Sequence, residues 1–217
     1  MSDSTSAVTL CTQFVDLVPV SGASITVFRR PNAQSTICVS DGMAVELDHL
    51  QFDLGEGPRW ETARTGQASI GIDVREGPND SWPVFGAAAA RLGVGAVFSF
   101  PLRRGIHFVG VADLYRREAG PLGLDATARA VQLSLRIAGA ASDEARHSAE
   151  SEVEQTRDAP ALRRQVHQAI GMVLSQLGVD ADEALARLQA HAFDRGRTVE
   201  DIAHDVVTRR LDFRNIP

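Results

Sequence analysis

Arginine and histidine recur near the C-terminus of the chain at spacings that would align them on a helix. Arg187, His191 and Arg195 are four residues apart, so their side chains would form one stripe along a helix surface. Guanidinium, imidazole and amide groups suit contacts with the phosphates and base edges of structured RNA. The alternative interpretation is a solvated helix face that binds nothing. Further polar candidates in the same segment are Arg163, Arg164, His167, Gln168 and Arg197.

The residue types exclude most catalytic chemistry. All 22 basic residues are arginine, so lysine Schiff bases and the lysine of a phosphate-binding P-loop are ruled out. The histidines show no metal-ligand spacing with an acidic partner, and there is no Gly-x-Ser-x-Gly nucleophile motif. The sequence therefore predicts a protein that is not an enzyme, with no metal site and no identified cofactor.

Composition and charge describe an ordinary globular chain. It has 217 residues, of which 44% are apolar. Its net charge of −6 lies in residues 1–160, because residues 161–217 carry 8 arginines and 8 acidic residues and are neutral. No segment is apolar for long enough to span a membrane, and the N-terminus lacks the pattern of a signal peptide. These features predict a cytoplasmic protein of one or two domains without membrane contact.

The elements that would position the stripe are three short amphipathic helices within residues 161–213. Gly178 and Gly196 are placed to end the first two helices, and Asp180 and Thr198 to cap the second and third. The prediction is an all-α three-helix bundle. Apolar residues recur at helical spacing within 162–177, 184–192 and 199–207.

Upstream of this bundle, short β-branched segments alternate with helical ones. Strands that cluster together, with helices on their flanks, indicate an α+β domain around an antiparallel sheet. The predicted strands lie at 23–28, 36–39, 68–74, 96–102 and 106–115. The predicted helices lie at 7–18, 58–65 and 82–92, and from residue 125 onward.

Residues 142–160 are predicted to form a helical linker between the two domains, which ends at Pro160. A weak coiled coil that joins two copies of the chain and a solvated helix are both compatible with this segment. The apolar and small residues at heptad spacing are Val131, Leu135, Ala138, Ser142, Ala145 and Ala149.

The two cysteines are expected to be unpaired thiols. Cys11 and Cys38 are far apart in the chain and no signal peptide precedes them, which argues against both a disulfide framework and a zinc site. Cys38 lies within the apolar run 36–39, so we expect its thiol to be buried in the core.

The first domain, residues 8–141, resembles the GAF domains of bacterial regulators. The resemblance rests on Leu54-Gly-Glu-Gly-Pro58, on the helix that begins at Trp82-Pro83, and on the segments 97–102 and 110–115. It implies an antiparallel sheet of five or six strands between helices, and dimerisation through the terminal helices. It also implies that an unknown small molecule could bind on one face of the sheet.

A GAF-type pocket would be lined by aromatic side chains and one or two charges, as small-molecule sites are. In the alternative interpretation, Phe85 and Phe100 belong to the core and Asp73 caps a turn. The candidates are Trp60, Asp73, Arg75, Trp82, Phe85 and Phe100.

The tail, over residues 161–211, resembles the ANTAR domain, an RNA-binding transcription antitermination module. Two positions depart from the pattern of that family, since Ile170 and Gln189 stand where it often has lysine and arginine. The resemblance implies that paired modules bind two RNA hairpins in a nascent leader and prevent a terminator from forming. It rests on Gln168-Ala-Ile-Gly171, Glu183-Ala184, Leu188, Ala192, Arg197 and Ala203.

The sequence therefore predicts a homodimeric, signal-responsive antitermination regulator. The GAF-like domain would sense a signal and the tail would bind leader RNA. Two alternatives remain open: a DNA-binding transcription regulator, and a dimeric sensor whose tail docks a protein partner.

Overall fold

The computed structural model describes residues 7–30, 33–75, 81–154 and 161–216. The first part is a five-stranded antiparallel sheet between two layers of helices, and the second is a helical bundle. The α+β class with a following all-α bundle, which the sequence predicted, is confirmed. None of the helices in these ranges is long and apolar enough to cross a membrane.

The sheet domain contains five strands in the order β2-β1-β5-β4-β3, each antiparallel to its neighbours. The strands are β1 (Gly22–Arg30), β2 (Ala33–Val39), β3 (Ser69–Asp73), β4 (Ala96–Arg104) and β5 (His107–Arg116). The helices are α1 (Ala7–Leu17), α2 (Gly42–Leu54), α3 (Pro58–Thr65), α4 (Pro83–Arg91) and α5 (Leu124–Glu154). The bundle consists of α6 (Ala161–Leu177), α7 (Ala181–Arg195) and α8 (Val199–Val207), followed by a 3₁₀ turn at Phe213–Asn215.

The two faces of the sheet bury different cores because successive side chains of a strand point in opposite directions. Along β4, Phe98 and Phe100 join the core that α1 and α5 cover. Val97, between Ala96 and Phe98, instead joins Trp82 and Phe85 in the core beneath α2 and α4. The sheet therefore separates two sets of aromatic residues that are close in sequence.

Helix α2 was not predicted from the sequence, for which no element was placed between residues 39 and 58. The side chain of Asp41 accepts a hydrogen bond from the amide of Ala44 at 2.8 Å and caps the helix. Gly55 ends it with a φ of 62°. Asp48, Gln51 and Phe52 are all buried, so this helix is covered on more than one side.

Helix α5 forms a continuous helix of 31 residues that covers one sheet face with its first half. Its buried residues recur at intervals of three and four, and Val131 and Leu135 are exposed. Ala138 of the predicted heptad seam is buried against the sheet, so the seam does not continue along one exposed face. Residues 155–160 of the predicted linker lie outside the described residues. The inward residues are Ala126, Ala130, Leu133, Ile137 and Ala141.

The prediction of unpaired cysteines is wrong. Cys11 in α1 and Cys38 in β2 form a disulfide bond. Both side chains are buried in the same core, so folding brings together two residues that are separated by 27 positions in sequence. The link attaches α1 to the edge strand of the sheet.

The three-helix bundle has the local signals that were predicted for it. The side chain of Asp180 accepts from the amide of Glu183 at 2.9 Å, and that of Thr198 accepts from the amide of Asp201 at 3.1 Å. Gly178 and Gly196 end α6 and α7 with positive φ angles. The core of the bundle is apolar and contains Val166, Ala169, Val173, Leu185, Leu188, Ala192, Val199, Ile202 and Val206.

Candidate nucleic-acid interface

The predicted stripe lies on the outer surface of α7. The guanidinium of Arg187 is paired with Glu183, one turn earlier, at 2.9 Å, and the side chains are 58% and 48% exposed. An exposed pair of this kind contributes little stability, so Arg187 can exchange this partner for a ligand at small cost. His191 is partly buried and Arg195 is exposed. The structure therefore brings the three residues together on one accessible face.

A cleft of about 390 Å³ opens beside this stripe. Its walls are the outer face of α7, the end of α6 and the segment after α8, so that Arg187 and His191 stand next to Phe213. The rings of His191 and Phe213 meet edge to face, with centroids 5.6 Å apart. Burial, together with the nearby Arg195 and Arg197, lowers the pKa of His191 below its usual value of 6.5. The imidazole is accordingly neutral at pH 7.

The remaining candidates of the tail have different surroundings. His167 and Gln168 lie on the exposed surface of α6. Nη1 of Arg197 donates to Asp205 at 2.7 Å, and its Nη2 donates to the carbonyl of Asp201 at 3.3 Å. Arg197 thus holds the turn before α8 against that helix. The side chains of Arg163 and Arg164 lie outside the described residues.

The predicted ligand residues of the sheet domain do not form one pocket. Phe100 lies in the core on the α1 and α5 side, whereas Trp82 and Phe85 contact each other on the opposite side of the sheet, with ring centroids 5.8 Å apart. Phe100 and Phe85 therefore belong to different cores, which lie on opposite faces of the sheet. Phe85 and Phe100 are fully buried core residues, in line with the alternative interpretation.

The other three candidates have structural contacts. The side chain of Asp73 accepts from the amide of Arg75 at 3.0 Å, which caps a turn. The guanidinium of Arg75 donates to backbone carbonyls of Gly93 and Arg117. The indole of Trp60 donates to the carbonyl of Gln51 at 2.6 Å.

The cavity beneath α2 is small. Its volume is about 20 Å³, which accommodates roughly one water molecule. Phe85 is the one predicted ligand residue that lines it, together with Leu47, Gln51, Val97 and Tyr115 among others.

A buried ionic cluster fills the space beside this cavity. The guanidinium of Arg59 is fully buried, and its Nη2 donates to Asp48 at 2.5 Å while its Nε donates to Asp113 at 2.7 Å. Asp113 also accepts a short hydrogen bond from the hydroxyl of Ser99. Burial raises the pKa of Asp113, although Arg59 and Ser99 act in the other direction. One cation faces two carboxylates here, so the cluster joins α2, α3 and β5 into one unit.

The end of α2 packs directly against the bundle. The side chain of Phe52 is 3% exposed and belongs to the bundle core rather than to either core of the sheet domain. Nε2 of Gln189 in α7 donates to the carbonyl of Phe52 at 2.7 Å, and the amide of Val199 donates to Oδ1 of Asp53 at 3.2 Å. A Cβ atom at Gly55 would lie 2.8 Å from Oε1 of Gln189, so a larger residue there would require the end of the Gln189 side chain to move. These residues form the domain contact.

Comparison with known proteins identifies the bundle. Residues 154–207 match the family model described as the ANTAR domain. The C-terminal bundle is an ANTAR domain. Its match includes the whole of α6, α7 and α8, and therefore both the stripe and the residues that contact α2. No curated protein sequence matches the chain closely enough to count as a relative.

Solved structures similar to this chain align with the sheet domain. The GAF domain of a two-component sensor histidine kinase from Bacillus halodurans has 14% identity over 63% of this chain and 94% of its own, with a TM-score of 0.47. A GAF domain/HD domain protein from Geobacter sulfurreducens has 15% identity over 65% and 94%, with a TM-score of 0.48. The type II free methionine-R-sulfoxide reductase from Thermoplasma acidophilum has 13% identity over 61% and 87%, with a TM-score of 0.47.

The order of domains agrees with the sequence resemblance. The sheet has the five antiparallel strands and flanking helices that a GAF-like domain implies, and the ANTAR domain follows it. The ANTAR domain marks a regulatory type of protein, in which a domain built on a five-stranded antiparallel sheet precedes an RNA-binding type of module.

The residues of the domain contact were missed by the sequence interpretation. Gln189 was noted only as a departure from the ANTAR pattern, in which arginine is frequent at this position. Here its amide bonds the first domain, and it lies on the side of α7 away from Arg187, about 160° around the helix. The contact therefore leaves the stripe uncovered.

The charge of Asp53 is expected to weaken the domain contact at neutral pH. Burial, reinforced by repulsion from Glu200, raises the pKa of Asp53 from 3.8 to about 6. Because this pKa is above that of an exposed aspartate, the docked state gains stability when the carboxyl is protonated, and this gain is lost as the pH rises from about 4 through 6.

Asp53→Asn should therefore strengthen docking by about 1–2 kcal/mol at pH 7.5, after allowance for the partial exposure of the group. The amide oxygen can still accept from Val199, and no charge remains. Hydrogen exchange of the first turn of α8, measured between pH 5 and pH 8, would show slower exchange and a flatter pH dependence. Asp16→Asn, at an exposed aspartate of α1, is the control. Faster exchange in Asp53→Asn would contradict the prediction.

Proposed function

We propose that this protein is a homodimeric, signal-responsive regulator of transcription antitermination. The ANTAR domain binds two-hairpin leader RNA while the transcript is being made, and the GAF-like domain controls this binding. Because nascent leader RNA is made in the bacterial cytoplasm, that is where we place its action. The domain assignment supports a regulator that contacts RNA.

One observation carries this proposal: the arginine and histidine stripe of α7 is accessible on the surface of an ANTAR domain. Arg187 has only an exposed carboxylate partner, and Arg195 is exposed. Since the tail is neutral overall, bulk attraction to nucleic acid is small and the placement of these groups decides the affinity. His167 and Gln168 on α6, together with Arg163, Arg164 and Arg197, complete the proposed RNA-binding set.

Control by the first domain would act through α2. This helix holds Asp48, which is paired with Arg59, and a few residues later Phe52, which is packed into the ANTAR core. A signal that shifts α2 would change the position of the ANTAR domain relative to the sheet. For a ligand to regulate the protein in this way, its affinities for the two arrangements need to differ by about 1–3 kcal/mol.

Dimerisation would bring two ANTAR domains to two hairpins. Val131 and Leu135 are exposed on α5, 40% and 56% respectively, one turn apart on the same side of the helix. Covering them with the same residues of a second copy would remove apolar surface from water. We propose α5 as part of the dimer interface.

The test is a salt titration of RNA binding by the full-length protein. The probe is an RNA with two adjacent hairpins, and each protomer is expected to contact about four phosphates, so log affinity should fall against log salt with a slope near −3 per protomer. Arg187→Ala should reduce affinity and lower the magnitude of this slope by about 0.7–0.9. Arg104→Ala, at an exposed arginine of β4, should change neither.

Competition with duplex DNA separates this function from its rival. Duplex DNA of equal length should displace the RNA only in large excess. If duplex DNA competed equally, a DNA-binding regulator would be favoured. If the wild-type protein bound no RNA, or if Arg187→Ala bound with unchanged affinity and slope, the assignment of the stripe would be wrong.

A further inference from the structure

The cleft beside the stripe combines an apolar wall with a polar rim. Leu177 and Val179, at the end of α6 and in the turn that follows, face Phe213 and Ile216 from the C-terminal segment. The volume of about 390 Å³ is within the range of small-ligand pockets and far larger than the cavity in the sheet domain.

The polar groups of the rim all come from one side of α7. Arg187, His191 and Asp194 are spaced by four and three residues, so they follow one face of the helix, with Ala190 between them. Arg187 supplies a cation, Asp194 an acceptor and His191 a flat ring. Two residues of the stripe, Arg187 and His191, thus lie at the edge of a concave site.

The partly exposed imidazole of His191 supplies a ring on which a planar group can stack. The imidazole of His191 packs against the ring of Phe213, which is itself 6% exposed and held by the bundle core. The amide of Phe213 donates to the side chain of Gln176 at 3.0 Å, which attaches the segment to α6. This wall is therefore fixed before any ligand arrives.

We propose that this cleft receives one unpaired nucleobase from the loop of an RNA hairpin. The base stacks on the imidazole of His191, which Phe213 supports from the other side, Asp194 accepts a hydrogen bond from an amino group of the base, and Arg187 contacts an adjacent phosphate. The inference rests on the proposed RNA-binding function and adds the part of the RNA that this site reads. Unstacked loop bases are what sequence-specific RNA-binding proteins commonly hold on aromatic rings.

The chemistry of Asp194 makes the site selective. Adenine, cytosine and guanine each carry an exocyclic amino group that a carboxylate can accept from, whereas uracil carries none and its N3–H donor lies between two carbonyl oxygens. A carboxylate beside those oxygens is repelled. The cleft should therefore discriminate against uracil, by roughly tenfold or more, as one well-formed polar contact to a base does.

The experiment selects RNA with the full-length protein from a library of two-hairpin RNAs with randomised loops. Wild-type protein should select against uridine at one loop position. Asp194→Asn should lose this discrimination while its overall affinity stays within roughly threefold, because an asparagine side chain can also donate to a carbonyl oxygen. Asp194 is exposed, so this variant keeps the fold intact.

A second variant fills the cleft. Ala190 lies in its wall and is exposed, so Ala190→Trp adds an indole without removing a contact. It should lower the affinity for the selected RNA at least tenfold, while the magnitude of the salt slope falls by no more than about 0.9, the share of the one phosphate at Arg187, because the phosphate contacts of Arg195 and α6 remain. Ala87→Trp, at an exposed alanine of α4 in the other domain, is the matched control and should bind as wild type.

A direct measurement replaces the selected base with 2-aminopurine. Its fluorescence should be quenched on binding to wild-type protein and not on binding to Ala190→Trp. If both variants select the same loops as wild type with equal affinity, the cleft does not hold a base, although the protein still binds RNA. If a peptide or protein partner is displaced from the cleft by Ala190→Trp while RNA binding is unchanged, the cleft is a protein-docking site and the proposal is wrong. If the wild-type protein binds no RNA from the library, the proposed function itself fails.

Discussion

Replacing Arg59 with methionine is expected to lower the free energy of unfolding of the sheet domain by about 3–5 kcal/mol. The guanidinium is fully buried and is the shared partner of Asp48 and Asp113. Its removal leaves two buried carboxylates without their cation, and the loss of one partner from a buried ionic cluster is among the costliest single changes.

Denaturant unfolding followed by circular dichroism would measure this loss, with Arg104→Met at an exposed arginine as the control. The loss should be smaller at acidic pH. In the variant, burial raises the pKa of Asp113 without the opposing effect of Arg59, so the folded state gains stability by protonation of this carboxyl and loses it as the pH rises. Adding Asp48→Asn and Asp113→Asn to the variant should restore part of the stability. A loss below about 1 kcal/mol at pH 7 would show that the cluster is not a major source of stability.

Replacing Phe52 with alanine is expected to separate the two domains while each remains folded. The phenyl ring comes from the sheet domain but is buried in the core of the ANTAR domain. Removing a buried phenylalanine costs about 3–5 kcal/mol, which corresponds to a shift of the docking equilibrium by more than about a hundredfold. The remaining contacts of Gln189 and Asp53 are single hydrogen bonds and contribute less.

Hydrogen exchange resolved by peptide would detect this separation. Peptides from the end of α2 and from the start of α8 should exchange faster in Phe52→Ala, whereas the sheet should exchange as in wild type. Phe193→Ala is the matched control, because this phenylalanine of α7 is 61% exposed and should leave the contact intact. Unchanged protection at both places in Phe52→Ala would mean that the phenyl ring does not hold the domains together.

The bundle was predictable because its signals are local. Asp180 and Thr198 cap the helices that follow them, and Gly178 and Gly196 end the helices that precede them. Each of these residues acts within a few positions of its own place in the chain, and the apolar spacing of the helices faces a single core. Sequence reasoning therefore found the three helices, their caps and the accessible stripe of α7.

Helix α2 was not predictable by periodicity because it is buried on two sides. Asp48 and Gln51 point to a polar cluster inside the sheet domain, while Phe52 points to a different domain. A helix is predicted from an amphipathic pattern, with apolar residues on one side and polar residues on the other. In α2 this pattern is absent, because polar residues point inward and an apolar residue lies on another side. Because this helix was not predicted, the contact between the two domains was not predicted either, and neither were the roles of Asp53 and Gln189 in it.

The ligand candidates were misplaced for a different reason. Phe85 and Phe100 both have the aromatic character expected of a pocket, but the faces they occupy depend on strand register and on which helix covers each face. Neither property can be read from residue type.

The disulfide between Cys11 and Cys38 makes reduction and unfolding two parts of one equilibrium. The sheet domain can be folded or unfolded, and in each case its disulfide can be oxidised or reduced. These four states form a closed thermodynamic cycle. The free energy by which the bond stabilises the folded domain must equal the free energy by which folding protects the bond from reduction. For a loop closed across 27 positions this amounts to about 3.5 kcal/mol, roughly a few hundredfold in the reduction equilibrium. Reduction of the disulfide therefore lowers the stability of the sheet domain, and unfolding of the domain makes the disulfide easier to reduce.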